Sequence, residues 1–259
     1  LYRKFFVCIA ALCFVTMALH ADIIEIHNMK ELYSHLPEDA LIVFDIDNTI
    51  MTPPYELGTD QWFEFRIQNF KDQGEEPGDA FKKTLKEWIA LRNFTDMALV
   101  EEDIATIIQH LQDEGFGVMG LTTQGLHLSS RTLYQLNDLA VDFTKTSLSD
   151  EYFVFKYKNP VLYRDGILFG NGSHKGKVLF SFLEALSHNP STVVFVDDKA
   201  SNLIALEASC NEHGIPFVGL RYGYLDEKVK NFNAEVALEQ LRVFGGHIIS
   251  DEEAKESLR

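Results

Sequence analysis

The feature that most limits the possible fold is a set of four short, nearly continuous apolar runs. They cover residues 41–44, 117–121, 192–196 and 216–220. Runs without polar alternation predict strands buried on both faces, as in a parallel sheet. Between them, apolar residues recur at helical spacing, which predicts helices near 60–70, 78–92, 100–114 and 177–186. Strands alternating with helices predict right-handed βαβ units and an α/β core with a Rossmann-like parallel sheet.

Two segments are too long to be simple connections in such a core. We predict that residues 51–115 form a helical cap inserted after the first core strand, and that 145–173 form a smaller hairpin insertion. The core itself is then 22–50 and 116–250, and 251–259 is a polar, frayed tail. A cap in that position would close over the strand ends and exclude water.

The first 21 residues differ from the rest of the chain. Arg3 and Lys4 precede an apolar run over 5–18, and Ala21 is a small residue before the polar sequence begins. This layout predicts a cleaved signal peptide, with an uncleaved membrane anchor as the alternative. We therefore expect an exported bacterial protein, periplasmic or secreted, with no stable membrane association after cleavage.

Charge and cysteine content narrow the possible partners. The formal net charge is −16, and such a surface repels nucleic acid backbones, which disfavours a nucleic acid polymer as partner. Cys8 and Cys13 lie in the predicted leader, so only Cys210 remains and no internal disulfide can form. The sequence does not specify an oligomeric state.

Polar residues follow the predicted strands at their carboxyl ends, where open α/β sheets bind ligands. A lysine also opens the helix that precedes the third apolar run. The residues are Asp45, Asp47 and Thr49 after the first run, Thr122 after the second, Asp197, Asp198 and Asn202 after the third, and Lys175 at the helix start. Clustered carboxylates require a neutralising cation, and oxygen ligands with a phosphate favour Mg²⁺.

Those residue types are sufficient for phosphoryl transfer. One carboxylate can attack phosphorus, and a second can protonate the leaving oxygen and then activate water. A lysine and a hydroxyl can hold the phosphate oxygens while charge moves between them. Thr123 competes with Thr122 for the hydroxyl role, and Lys177 competes with Lys175 for the lysine role.

The order and spacing of these motifs, over roughly 41–202, resemble those of haloacid dehalogenase superfamily phosphatases, and in particular an uncharacterised secreted bacterial branch. The resemblance implies that Asp45 is the nucleophile and a metal ligand. It implies that Asp47 is the acid/base, with its backbone carbonyl on the metal. The remaining implied roles are phosphate binding by Thr122 and Lys175, metal binding by Asp198, and support of the site from outside by Asp197, Asn202 and Thr49.

We therefore expect a Mg²⁺-dependent phosphohydrolase that acts on small phosphate monoesters through an aspartyl-phosphate. Asp47 favours phosphoryl transfer, because superfamily members that cleave carbon–halogen bonds generally lack this second acid. The alternatives are a phosphotransferase, a 5′-nucleotidase-like acid phosphatase, and a secreted binding protein that keeps the fold without turnover.

Overall fold

The computed structural model describes residues 23–259, so the predicted leader at 1–21 lies outside the described residues. The strands are β1 (Ile24–Ile26), β2 (Leu41–Phe44), β3 (Met51–Thr52), β4 (Ala98–Leu99), β5 (Gly117–Thr122), β6 (Phe153–Lys156), β7 (Pro160–Arg164), β8 (Ile167–Phe169), β9 (Val193–Asp197) and β10 (Phe217–Tyr222). The α-helices are α1 (Asp60–Asp72), α2 (Pro77–Arg92), α3 (Ile104–Asp113), α4 (Ser129–Asp138), α5 (Lys175–Ala185), α6 (Ala200–His213), α7 (Asp226–Lys230), α8 (Ala234–Arg242) and α9 (Asp251–Ser257).

Eight strands form the central sheet in the order β1-β10-β9-β2-β5-β8-β7-β6. The pairings from β1 through β8 are all parallel, and β7 and β6 add two antiparallel pairings at one end. This mixed α/β architecture with a mostly parallel sheet confirms the predicted fold class. Within residues 23–259, no helix combines the length and apolar character needed to span a bilayer.

Strand β2 is buried completely because helices cover both faces of the sheet. Ile42 and Phe44 belong to the core on one face, whereas Leu41 and Val43 belong to the core on the other. Side chains alternate between the faces of a strand, so a strand with both faces covered must be apolar at every position. This is why the run ends abruptly at Asp45, where the chain leaves the sheet.

The cap is shorter than predicted. The chain leaves and re-enters the core through the antiparallel pair β3 and β4, so the insertion comprises 53–97 with helices α1 and α2. Helix α3 instead packs its stripe of Ile104, Ile108 and Leu111 into the core that contains Ile42. The predicted boundary at 115 is therefore wrong, because the apolar stripe of α3 covers the sheet and not the cap.

The segment 145–173 is not a separate hairpin insertion. Residues 162–169 do not form one strand, because a turn at Asp165 and Gly166, whose φ angles are 49° and 76°, separates β7 from β8. A Cβ on Gly166 would lie 2.4 Å from the backbone oxygen of Phe143, so glycine is required there. Strand β8 pairs parallel with β5, so this segment extends the main sheet.

The predicted frayed tail at 251–259 is also wrong. Ser250 and Glu253 form a capping box that begins helix α9, and Ala254 of this helix is buried. The Asp251 carboxylate accepts hydrogen bonds from Gln240 Nε2 at 2.8 Å and from the backbone of Glu56 at 3.0 Å. The C-terminal helix is thus attached both to α8 and to the base of the cap.

Candidate active site

The site lies at the carboxyl ends of three neighbouring strands, β9, β2 and β5. In the parallel register, Phe44 of β2 lies opposite Val196 of β9, so the next residues, Asp45 and Asp197, lie side by side. The backbone N–H of Asp45 donates to the Val196 carbonyl at 2.9 Å and fixes this position. The parallel sheet therefore brings together carboxylates that are about 150 residues apart in the sequence.

Lys175 is the first residue of α5 and joins the two buried carboxylates. Its Nζ lies 2.6 Å from Asp45 Oδ1 and 2.6 Å from Asp197 Oδ2, and its side chain is only 3% exposed. Burial alone would lower the pKa of Lys175, but Asp197 and Asp45 outweigh burial and raise this pKa above its ordinary value. Lys175 is therefore a permanent cation of the site, whereas its rival Lys177 is exposed.

Negative charge exceeds positive charge around Lys175. Oxygens of Asp45, Asp197 and Asp198 all lie within 4.8 Å of one another. Burial raises the pKa of Asp45 well above its ordinary value; Lys175 opposes this shift, and the charges of Asp197 and Asp198 add to it. Burial, with Asp197 and Asp60, raises the pKa of Asp198 to about 7. One lysine does not neutralise three clustered carboxylates, so the charge of the site favours binding of a further cation.

Asp197 and Asp198 have different surroundings. Asp197 is fully buried and accepts hydrogen bonds from Lys175 Nζ at 2.6 Å, from the Lys199 backbone at 2.8 Å and from Asn202 Nδ2 at 3.0 and 2.9 Å. Asp198 Oδ1 is buried and has no hydrogen-bond partner among residues 23–259. The carboxylate of Asp197 is therefore occupied by Lys175 and Asn202, whereas one oxygen of Asp198 is left without a hydrogen-bond partner in the described part of the chain.

Asp47 lies between the core and the cap. Its Oδ2 accepts a 2.7 Å hydrogen bond from Gln124 Nε2, in the loop after β5. Its Oδ1 lies 3.0 Å from a guanidinium nitrogen of Arg92, the last residue of cap helix α2, and this Arg92 side chain is almost fully buried. No motif of the sequence indicates Arg92, which lies far from the predicted site residues along the chain. Gln124 directly follows Thr122 and Thr123. Its polar side chain at the end of a predicted strand could have identified Gln124 as a site residue.

The two threonines at the end of β5, Thr122 and Thr123, have different surroundings. Thr122 is buried, and its Oγ1 accepts a 3.1 Å hydrogen bond from the backbone of Gln124. Among the described residues, the exposed Thr123 lines the cavity in front of Asp45, whereas Thr122 does not. Thr49 is also buried, and its hydroxyl has no hydrogen-bond partner in the described part of the chain. The side-chain arrangement therefore favours Thr123 for contact with a ligand.

A cavity of about 670 Å³ separates the strand ends from the cap. The core side supplies polar groups, and α1 and α2 supply mostly apolar ones. A second link between the two sides is the ion pair of Lys199 Nζ with Asp60 Oδ2 at 2.5 Å, where Asp60 begins α1. Polar residues that line the cavity include Asp45, Asp47, Asp60, Thr123, Gln124, Lys175, Lys199 and Asn202.

Solved structures similar to this chain include a hydrolase of the haloacid dehalogenase-like family from Streptococcus pneumoniae. It is 15% identical, with a TM-score of 0.43, and the match covers 85% of this chain and 98% of that one. A second is a HAD family enzyme from Bacteroides thetaiotaomicron in complex with magnesium and inorganic phosphate, 14% identical, with a TM-score of 0.39, covering 71% and 95%.

Sequence relatives come from Chlamydia and Rickettsia species. A Chlamydia pneumoniae protein with the name "Putative outer membrane protein" is 25% identical over 250 residues, which are 92% of this chain and 91% of the relative. An uncharacterized protein of Rickettsia prowazekii is 26% identical over 206 residues, 75% of this chain and 73% of the relative. A family model described as "Protein of unknown function (DUF2608)" matches residues 25–255. The match contains every residue of the candidate site, and the chain belongs to this DUF2608 family.

Proposed function

We propose that this protein is a Mg²⁺-dependent phosphohydrolase that cleaves small phosphate monoesters through a phosphoryl group carried on Asp45. The observation that carries the proposal is the cluster of buried Asp45 and Asp197 with half-buried Asp198 at the carboxyl ends of β2 and β9, in which Lys175 joins Asp45 and Asp197. A binding protein would not need a nucleophile, an acid/base and a fixed cation at one point. Asp47 fits the same proposal, because it lines the same cavity.

The residues present fit a magnesium ion. The ligand atoms are all oxygens, as Mg²⁺ prefers, and the buried Oδ1 of Asp198 lacks a partner among the described residues. Asp45, Asp198 and the backbone carbonyl of Asp47 would hold the ion. When bound, the ion would neutralise charge on the carboxylates and on the phosphoryl oxygens.

Asp45, Asp47 and Lys175 have separate roles in the proposed reaction. An oxygen of Asp45 forms a bond to phosphorus while the bond from phosphorus to the ester oxygen breaks, and Asp47 gives its proton to the departing oxygen. Asp47 next takes a proton from the water that hydrolyses the aspartyl-phosphate and frees phosphate. Lys175, held by Asp197, stabilises negative charge on the phosphoryl oxygens throughout.

The direct test is phosphate release from p-nitrophenyl phosphate by the full chain with and without Mg²⁺. We expect turnover with Mg²⁺ and its loss after the ion is removed with EDTA, followed by recovery when Mg²⁺ is restored. Activity that is unchanged by EDTA would contradict the metal requirement, and no release from a broad panel of phosphate esters would contradict the proposed function.

Magnesium should also stabilise the folded protein. A ligand that binds the native state alone raises the unfolding free energy, by about 2.7 kcal/mol at a hundred times its dissociation constant. We therefore expect millimolar Mg²⁺ to raise the melting temperature of the wild type. Asp198→Asn should largely lose this shift, and the exposed control Asp72→Asn should keep it. Equal shifts in all three proteins would contradict the assignment of Asp198.

Gln124 should matter because it orients Asp47. Its amide donates to Asp47 Oδ2, and its Oε1 accepts from Thr132 at 2.5 Å, so its orientation is fixed. Gln124→Glu replaces the donor by a second carboxylate, and we expect kcat to fall by about 10²-fold with a smaller change in KM. Unchanged kcat in Gln124→Glu would show that Asp47 needs no such support.

Arg92→Lys, which keeps the charge that faces Asp47 Oδ1, should retain more activity than Arg92→Met.

Export belongs to the same proposal. The sequence of the first 21 residues has the layout of a signal peptide, and chlamydial relatives carry names that refer to the outer membrane. We infer that the protein acts outside the cytoplasm of a bacterium. Fusion of the leader to a reporter that is active only after export tests this, and a reporter retained in the cytoplasm would contradict it.

A further inference from the structure

The cap presents an aromatic wall to the catalytic carboxylates. Phe63 of α1 contacts two rings of α2 edge to face, Phe81 at 5.8 Å and Trp88 at 6.1 Å between ring centroids. We call Phe63, Phe81 and Trp88 the aromatic wall. Aliphatic side chains on the same faces of the two helices extend it, namely Ile67, Leu85 and Ile89. All six residues line the cavity that contains Asp45 and Lys175.

The aromatic wall is accessible mainly at Phe81. Phe81 is 47% exposed, although Trp62, beside Phe63 in the sequence, is fully buried in the cluster that joins the cap to α8. Trp88 is also a buried member of that cluster and Phe63 packs against it, so the cap has an apolar core of its own, and the aromatic wall continues this core to the exposed ring of Phe81. An accessible apolar patch at the mouth of a polar site marks a place for the apolar part of a ligand.

Charge around the cavity argues against a second anionic group on the ligand. The carboxylates that line it are Asp45, Asp47, Asp60 and Glu64. Of the lining lysines in the described chain, Lys175 is paired with Asp45 and Lys199 is paired with Asp60. A ligand with a carboxylate or a further phosphate beyond the reacting one would add repulsion without gaining an unpaired lysine or arginine, and His127 is the remaining basic side chain of the lining in the described chain.

The distribution of polar groups argues against a sugar. The side chains of Thr123, Gln124, Asn171 and Asn202 line the core side, near the reacting phosphate. Hydroxyl groups that face the rings of the aromatic wall, and not the α1 carboxylates of Asp60 and Glu64, would lose their hydrogen bonds to water and gain no partner, which carries a free-energy cost. An alkyl or aryl group in the same position would be stabilised by leaving water.

We propose that the substrates are phosphate monoesters of uncharged, apolar alcohols or phenols, whose organic part packs on the aromatic wall while Asp45 receives the phosphoryl group. This inference rests on the proposed phosphohydrolase function and adds the substrate class to it. The cavity volume of about 670 Å³ leaves space for an organic group of several carbons beside the phosphate.

The first test compares kcat/KM for ethyl, butyl and hexyl phosphate with that for glycerol phosphate and ribose 5-phosphate, in Mg²⁺. We expect kcat/KM to rise by about fourfold for each added methylene until the cavity is filled, and the two polyhydroxylated esters to be poor substrates. Efficient turnover of glycerol phosphate or ribose 5-phosphate, with no dependence on alkyl length, would overturn this inference and leave the phosphohydrolase function standing.

A matched pair of variants locates the effect. Phe81 and Phe94 are exposed to almost the same degree, 47% and 49%, but only Phe81 lines the described cavity, whereas Phe94 packs on Phe244. Phe81→Ala should lower the hexyl-to-ethyl ratio of kcat/KM by about tenfold, and Phe94→Ala should leave it unchanged. An equal ratio in the wild type and Phe81→Ala would overturn the role of the aromatic wall.

Binding measured without turnover separates the two proposals. Calorimetric titration of the wild type with hexylphosphonate and methylphosphonate, in Mg²⁺, should show tighter binding of hexylphosphonate, and Phe81→Ala should lose most of the difference. If no ester is hydrolysed but this preference is found, the phosphohydrolase function fails and the apolar site stands. Equal affinities of the two phosphonates would overturn the apolar site whatever the activity.

Discussion

Asp45→Asn is expected to reduce phosphate release from p-nitrophenyl phosphate by about 10⁴-fold or more, because it removes the oxygen proposed to attack phosphorus while preserving the shape of the side chain. Folding should not suffer. Asp45 is a buried acid whose pKa burial and two neighbouring carboxylates raise, so a neutral amide relieves repulsion, and Lys175 keeps its 2.6 Å partner Asp197.

Two controls make this prediction decisive. Unfolding by urea should give a free energy for Asp45→Asn at least equal to that of the wild type without Mg²⁺, and Asp72→Asn should keep full activity because Asp72 is exposed on α1. Loss of a nucleophile lowers the rate by several powers of ten. If Asp45→Asn retained more than about a tenth of the wild-type rate, Asp45 would therefore not be the nucleophile.

Lys175→Met should be the most destabilising substitution at the site. Removing this cation leaves Asp45 and Asp197 buried and facing each other, and breaking a buried ion pair from one side costs about 3–5 kcal/mol. The measurement is the free energy of unfolding in urea without Mg²⁺. Activity should be lost as well, because the phosphoryl oxygens lose their fixed cation.

Lys177→Met is the matched control, because it removes the same side chain two residues further along α5, where the lysine is exposed. Exposed substitutions of this kind change stability by about 0.5 kcal/mol or less. Equal losses of stability in the two variants would mean that the ion pairs of Lys175 with Asp45 and Asp197 contribute little to the fold.

The sequence predicted the parts of the fold that depend on local pattern. A strand covered on both faces must be apolar throughout, so β2, β5, β9 and β10 were visible as continuous runs, each within two residues of its observed position. Helix α3 was predicted nearly in place but assigned to the cap, because an apolar stripe shows that a helix packs and does not show against what. Helix α9 was missed for a related reason: its polar sequence buries little besides Ala254.

The same limit applies to predicting the candidate site from the sequence. Asp45 and Asp197 were predictable neighbours because parallel strands bring their carboxyl ends to one edge of the sheet. Arg92 was not predictable, since its contact with Asp47 depends on how the cap folds back over the core. Trp62 and Phe63 are adjacent in sequence and about 100° apart around α1, and tertiary packing alone decides that the first is core and the second lines the cavity.

Mass spectrometry of the acid-quenched protein during turnover tests the central claim most directly. With a phosphate ester and Mg²⁺, the peptide that contains Asp45 should gain the mass of one phosphoryl group, and hydroxylamine, which cleaves acyl phosphates, should remove it. Steady phosphate release with that peptide unmodified, or with the phosphoryl group on another residue, would contradict the mechanism proposed for this protein.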